Sequence, residues 1–257
     1  ANTIGTGNTA LGYGALKSNT TGVNNIAIGT SALCSNTIGS NNFAVGCCAL
    51  YANTTGNNNF AQGYRALACT TTGCNNFAVG CLALTTNSTG INNIAIGQCA
   101  LYSHDIGCNN IALGYCALKL SCNGSSNNIA LGQGALSTNY TGCGNVAIGF
   151  NALFNNAGAI NNTAIGYQAL YCNTTGVNNV AIGAYALYNN TIGTYNVALS
   201  CGALYRNTLG NHNFAVGNTA LYCNTTGSSN VAIGYRAMFG NSTGANNIAI
   251  GCCALTC

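Results

Sequence analysis

The chain has 257 residues, of which 2% are charged: five Lys or Arg and one Asp, with no Pro and no Trp. A globular chain carries about 25% charged residues, so this composition is far from ordinary. One carboxylate, Asp105, excludes paired acid–base catalysis. The cations Lys17, Arg65, Lys119, Arg206 and Arg236 are scattered and form no basic patch, so nucleic acid is not expected as a partner. No apolar run approaches the roughly 18 residues of a membrane span, and no signal peptide is visible.

Taken from the N-terminus, the chain repeats one unit. The Ala of an Ala-Leu pair recurs at Ala15, Ala32, Ala49, Ala66, Ala83, Ala100 and Ala117, then from Ala135 to Ala254. Each step is 17 residues except one of 18, where the extra residue falls in Gly124-Ser125-Ser126-Asn127. The consensus is x-x-Ala-Leu-Tyr-x-Asn-Thr-Thr-Gly-x-Asn-Asn-Ile-Ala-Ile-Gly. Two near-invariant glycines bound short β-rich segments that lack a 3.6-residue pattern. The expected fold is all-β: a parallel β-solenoid of about fifteen 17-residue coils, without helices, forming one domain over residues 1–257. Coils about 4.8 Å apart would make a rod roughly 70 Å long.

Columns of equivalent residues then suggest roles. Ile26 and Ile28, with their aliphatic and aromatic equivalents, read as the core, opposed by Leu33 from the other side of the coil. The second Asn of the Asn-Asn pair, as in Asn25, is present in every coil and reads as an inward amide ladder. Between the two Ile positions stands an Ala in every coil: Ala27, Ala44, Ala61, Ala78, Ala95, Ala112. Alternation puts these on the opposite face from the Ile residues, so they are expected to point outward as a self-assembly face. Phe154, Tyr171, Tyr188, Tyr205, Tyr222 and Phe239 form a ladder expected to point outward, together with the Ala of the Ala-Leu pair.

Asn24-Asn25-Ile26-Ala27-Ile28-Gly29 resembles the head repeats of trimeric autotransporter adhesins. The full unit, as in Asn162–Gly176, is similar to repeats of tail-fibre-like surface proteins of bacteria and viruses. The resemblance implies rolled β-coils that pack side by side, on a cell or virion surface. The adhesin repeats are shorter, and no coiled-coil stalk is visible here.

Chemistry-bearing residues are few. His104-Asp105 replaces the usual Asn-Thr of one turn, and His212 replaces a turn Asn; both read as local substitutions. No catalytic residue, metal site or cofactor is expected. Seventeen cysteines, an odd number, fit an oxidising extracellular setting and leave one thiol free or bonded between chains. Cys69 and Cys74 flank a turn, and Cys99 and Cys116 share a column in adjacent coils, so both pairs are candidate disulfides. Cys47-Cys48 and Cys252-Cys253 are vicinal.

Ten Asn-x-Ser/Thr sequons occur. Seven share one column and are candidate glycosylation sites: Asn19, Asn53, Asn87, Asn139, Asn173, Asn224 and Asn241. Asn123, Asn161 and Asn189 lie elsewhere.

The leading expectation is an extracellular structural fibre or filament subunit whose partners are copies of itself. Ala1 and Cys257 occupy equivalent positions in the unit, which suggests head-to-tail stacking. A receptor- or glycan-binding head is the alternative. Ice binding through the Thr columns is less favoured, because Ile38, Ile106, Ile192 and Leu209 interrupt one of them.

Overall fold

A computed structural model describes residues 2–122 and 124–256. Fifteen three-residue strands run from Thr9–Leu11 to Ile248–Ile250, one per coil, with no helix among the described residues. The chain divides into two compact units, Ala1–Asn127 and Asn128–Cys257, at the insertion. The first holds seven strands and the second eight. Within each unit neighbouring strands pair in parallel with no register slip, as in Ala27↔Ala44 and Ala164↔Ala181. The architecture is a parallel β-solenoid. Ala1 and Cys257, on which the head-to-tail expectation rests, lie outside the described residues, as does Asn123.

The coil turns its corners on residues with left-handed backbone. Three positions recur with positive φ: the first Asn of the pair (Asn24, φ 56°), the second residue after the glycine (Ser31, φ 57°) and the core leucine (Leu33, φ 49°). A non-glycine residue there costs roughly 1–2 kcal/mol. The neighbouring coils hold it in place by hydrogen bonding: Leu33 N–H donates to Ala49 O at 3.0 Å, and Ser31 N–H to Tyr13 O at 2.8 Å. The glycine after the strand lies at φ near +130°, as in Gly149 at 132°. A β-carbon at Gly149 would sit 2.5 Å from the Gly166 carbonyl oxygen. Ser200 occupies the same place at φ 123°.

The core differs from the sequence reading in its sign. Ala27 and its equivalents through Ala249 are buried, Ala10 of the terminal strand being open, while Ile26 is half-buried and Ile28 is 36% exposed. Two fixed features cause the inversion. Asn25 and Asn36 both project inward, converge on the Gly39 carbonyl and are sealed from solvent. Leu33, in its left-handed conformation, is sealed inside with the preceding Ala32. These side chains fill the small cross-section of a 17-residue coil and leave room for only a methyl group on the strand's inner side. Alternation therefore sends both Ile columns outward. The left-handed leucine also defeats period-2 counting across Ala-Leu, so Ala32 does not share the outer face with the aromatic ladder.

The first Asn column is hydrogen-bonded from coil to coil, and the second likewise except where Thr70 and His104 interrupt it and leave Asn53 Oδ1 and Asn87 Oδ1 without partners. Asn25 Nδ2 donates to Gly39 O at 2.8 Å, and its Oδ1 accepts from Asn42 N–H at 3.0 Å. In the second column Asn36 Nδ2 donates to Gly39 O at 2.9 Å and to Asn19 Oδ1 at 2.8 Å. This is how buried polar groups are normally tolerated.

Candidate functional site

The surface most distinct from that of an ordinary soluble protein is the outer face of the sheet. Two rows run along it: Ile26, Phe43, Phe60, Phe77, Ile94, Ile111 and their successors, and Ile28, Val45, Gln62, Val79, Ile96, Leu113 and theirs. Thr9, Thr163 and Gln62 are its only polar members. Away from the ends the large residues stay partly open, with Ile94 37%, Ile182 41% and Phe214 38% exposed. Phe43, Phe60 and Phe77 stack with centroids 4.5 and 4.6 Å apart, so ring follows ring at the strand spacing. At about 4.8 Å per strand and roughly 10 Å of width, each unit presents some 350–400 Å². That is the size of the largest apolar patch on a typical monomer, and such a patch is often functional.

The Ala27, Ala44, Ala61, Ala78, Ala95 and Ala112 row cannot contact another chain, because each is sealed inside the coil. The candidate glycosylation sites are overturned in the same way. Asn19, Asn53, Asn87, Asn139, Asn173 and Asn224 are buried, and the amide nitrogen that would carry a sugar is already donating. Asn173 Nδ2, for instance, donates to Gly176 O at 2.9 Å. Asn241 is half-buried, and its Nδ2 likewise donates to Asn224 Oδ1 and Gly244 O, both at 3.1 Å. Sequon spacing carries no information about which way an amide points; the signal was the persistence of Asn in this column where no sequon stands, as at Asn36, Asn156, Asn190 and Asn207.

The aromatic ladder stacks from Phe154 to Phe239 with centroids 5.0–5.3 Å apart and interplanar angles of 10° or less. Its rings are half-buried. Tyr185 packs edge-on against Tyr188 at 5.8 Å, and Arg236 lies over the Phe239 ring at 4.4 Å. Burial, the Cys172 thiol and neighbouring tyrosine hydroxyl groups raise the Tyr188 phenol above its ordinary value.

The sixteen described cysteines are free thiols, so neither candidate disulfide is formed. Cys74 Sγ accepts from Asn57 N–H at 3.3 Å and donates to Thr72 O at 3.4 Å, which holds it against its own turn rather than toward Cys69. Cys99 and Cys116 do meet side chain to side chain as unbonded thiols; burial and then Cys116 push the Cys99 thiol up. Cys47 and Cys48 sulfurs lie 3.6 Å apart. Among the described residues no three His, Cys, Asp or Glu side chains gather as a metal site.

His104 is not a surface turn residue. It replaces an Asn of the inner ladder and is fully buried. Its Nε2 faces the Gly107 carbonyl at 2.9 Å and must donate, so Nδ1 accepts from the Ser121 hydroxyl at 3.1 Å. Ser121 in turn contacts Ser125, from the insertion, and both serines are buried. Burial lowers the His104 pKa, and the backbone groups of Gly107 and Ser121 and the nearby Asp105 charge offset this in part. The column position of His104, in register with Asn87 and Asn36, was the signal in the sequence. Asp105 faces outward and accepts from Ser88 Oγ.

No protein-family model matches the chain, and no curated protein sequence matches it. No helix among the described residues is long and apolar enough to cross a membrane.

Proposed function

We propose that the chain is a non-enzymatic structural subunit of an extracellular fibre on a cell or virion surface, assembling with copies of itself through the outer face of its sheet. The observation that carries this reading is the pair of outward, mostly apolar rows, unbroken by charge in all fifteen strands. A solvated sheet face alternates apolar-in with polar-out; this one is apolar on the outside, and its register repeats without slip. Each unit's face alone, some 350–400 Å², is about half of the roughly 800 Å² per partner of a standard interface. Side-by-side packing of rolled coils is also what the resemblance to adhesin and tail-fibre repeats implies. The test places charge on one face in each unit, Ile94→Glu and Ile182→Lys. Wild type is expected to form oligomers or fibres by light scattering and electron microscopy. The double variant should remain monomeric with an unchanged circular dichroism spectrum. A wild-type chain that stays monomeric at tens of micromolar, the range in which a standard interface associates, refutes the proposal.

A second reading, a carbohydrate-binding head, draws on the half-exposed stacked rings from Phe154 to Phe239. Sugar rings dock on such platforms, and a glycan array without hits on the assembled protein would remove it. Ice binding gains no support. Thr20 and Thr37 hydroxyls donate to carbonyls of the next coil at 2.9 and 3.0 Å and are not free to template water.

A further inference from the structure

One part of the chain repeats, with its ring missing, an arrangement that another part completes. In the second unit Arg236 has φ 53°, and Phe239 N–H donates back to its carbonyl at 3.2 Å. This turn places the guanidinium 4.4 Å from the Phe239 ring, which stacks on Tyr222 of the preceding coil at 5.2 Å. In the first unit Arg65 occupies the same column with φ 53°, and Ala68 N–H donates to its carbonyl at 3.3 Å. Tyr51 stands where Tyr222 stands. The Phe239 position, however, is held by Ala68.

The result is a cleft of about 470 Å³ lined by Tyr51, Ala52, Tyr64, Arg65, Ala68 and the thiol residues Cys48 and Cys69. That volume falls in the range of small-ligand sites. Ala68, only 4% exposed, forms its floor, and Tyr51 and Tyr64 stay 45% and 51% exposed at its edge. The Arg65 backbone is further fixed by the Thr85 hydroxyl, which donates to its carbonyl at 3.3 Å. The one carboxylate of the chain, Asp105, pairs with Ser88 instead.

We infer that this cleft is a binding site for a small planar, electron-rich aromatic ring of the phenol or indole class. The ring would lie over Ala68 in the place of the Phe239 side chain, stacked on Tyr51 and covered by the Arg65 guanidinium. Stacking and cation–π attraction each favour such a ring over a saturated one of equal size.

The chain contains no Trp, so indole emission, excited beyond the tyrosine absorption edge, reports only the ligand. Titrating the full chain into indole is expected to give saturable change in emission, with phenol competing and cyclohexanol competing much less. Ala68→Phe supplies the missing ring from the chain itself and should abolish binding. Arg65→Gln should weaken it about two- to fivefold, and Tyr51→Leu should weaken it as well. Both of these positions are exposed, so folding, checked by circular dichroism, is expected to survive. No emission change up to the solubility of indole overturns the assignment. So does equal competition by cyclohexanol, undiminished binding to a folded Ala68→Phe, or wild-type affinity in both Arg65→Gln and Tyr51→Leu.

Discussion

The inner Asn ladder can be tested by repairing it. Thr70 stands where other coils have Asn, with the same backbone: Thr70 N–H donates to Leu67 O at 3.2 Å, as Asn53 N–H does to Leu50 O at 3.1 Å. Its side chain is too short to continue the ladder, so Asn53 Oδ1 and Thr70 Oγ1 are left buried without partners. Thr70→Asn keeps the volume nearly constant. By analogy with Asn36 it would donate to Asn53 Oδ1 and to Gly73 O, and accept from Asn87 Nδ2. A buried unsatisfied polar group costs about 1–3 kcal/mol. Removing two therefore predicts a gain of roughly 2 kcal/mol, with a range of about 1–4 kcal/mol because the orphan costs do not add fully. At about 2–4 °C per kcal/mol the melting temperature should rise some 4–8 °C.

The mirror experiment is Asn190→Thr. It removes the donors to Asn173 Oδ1 and Gly193 O, at 2.8 and 2.9 Å, and should destabilise by a similar amount. Repeat proteins need not unfold in one step, so amide hydrogen exchange across residues 50–90 is the sharper assay. A Thr70→Asn variant that melts no higher than wild type and exchanges no more slowly there would refute the reasoning.

Three further outcomes follow from the same geometry. Ala164→Val, at a sealed strand position, should cost about 1–3 kcal/mol through overpacking. Ile165→Thr, one residue along and outward, should leave coil stability within about 1 kcal/mol; urea unfolding compares them, and equal losses would contradict the observed facing of the strand. Ser200→Gly should raise stability by about 1 kcal/mol, because it relieves a non-glycine residue at φ 123°; an unchanged or lower melting temperature would count against strain there. The pH dependence should involve His104. Its folded pKa lies below the ordinary 6.5 through burial, so the unfolded chain binds the extra proton as pH falls below about 6.5. His104 therefore contributes stability that is present above that pH and lost as pH drops toward the folded value. His104→Asn should flatten the slope, and identical denaturation midpoints against pH for both proteins would exclude this role.

Much of this molecule is legible in its sequence because the chain serves as its own alignment. The 17-residue step makes one coil per repeat, and identical residues must stack since parallel coils in register bring equivalent positions together. The invariance of Asn25 across coils identified an inward amide ladder, and the near-invariance of Leu33 a core position. The stacking of Phe154 through Phe239 follows from the same step. The sequence did not determine the sign of the strand. Period-2 alternation assigns Ala27 and Ile28 to opposite faces without saying which face is inside, and hydrophobicity favoured the wrong one. Tertiary structure decided it through the width of the coil. Asn25, Asn36 and a left-handed Leu33 occupy the interior together, and what remains admits a methyl group but not an isoleucine. The same crowding buries the sequon amides and places His104 in the ladder. It also moves the apolar face of the protein to its outside.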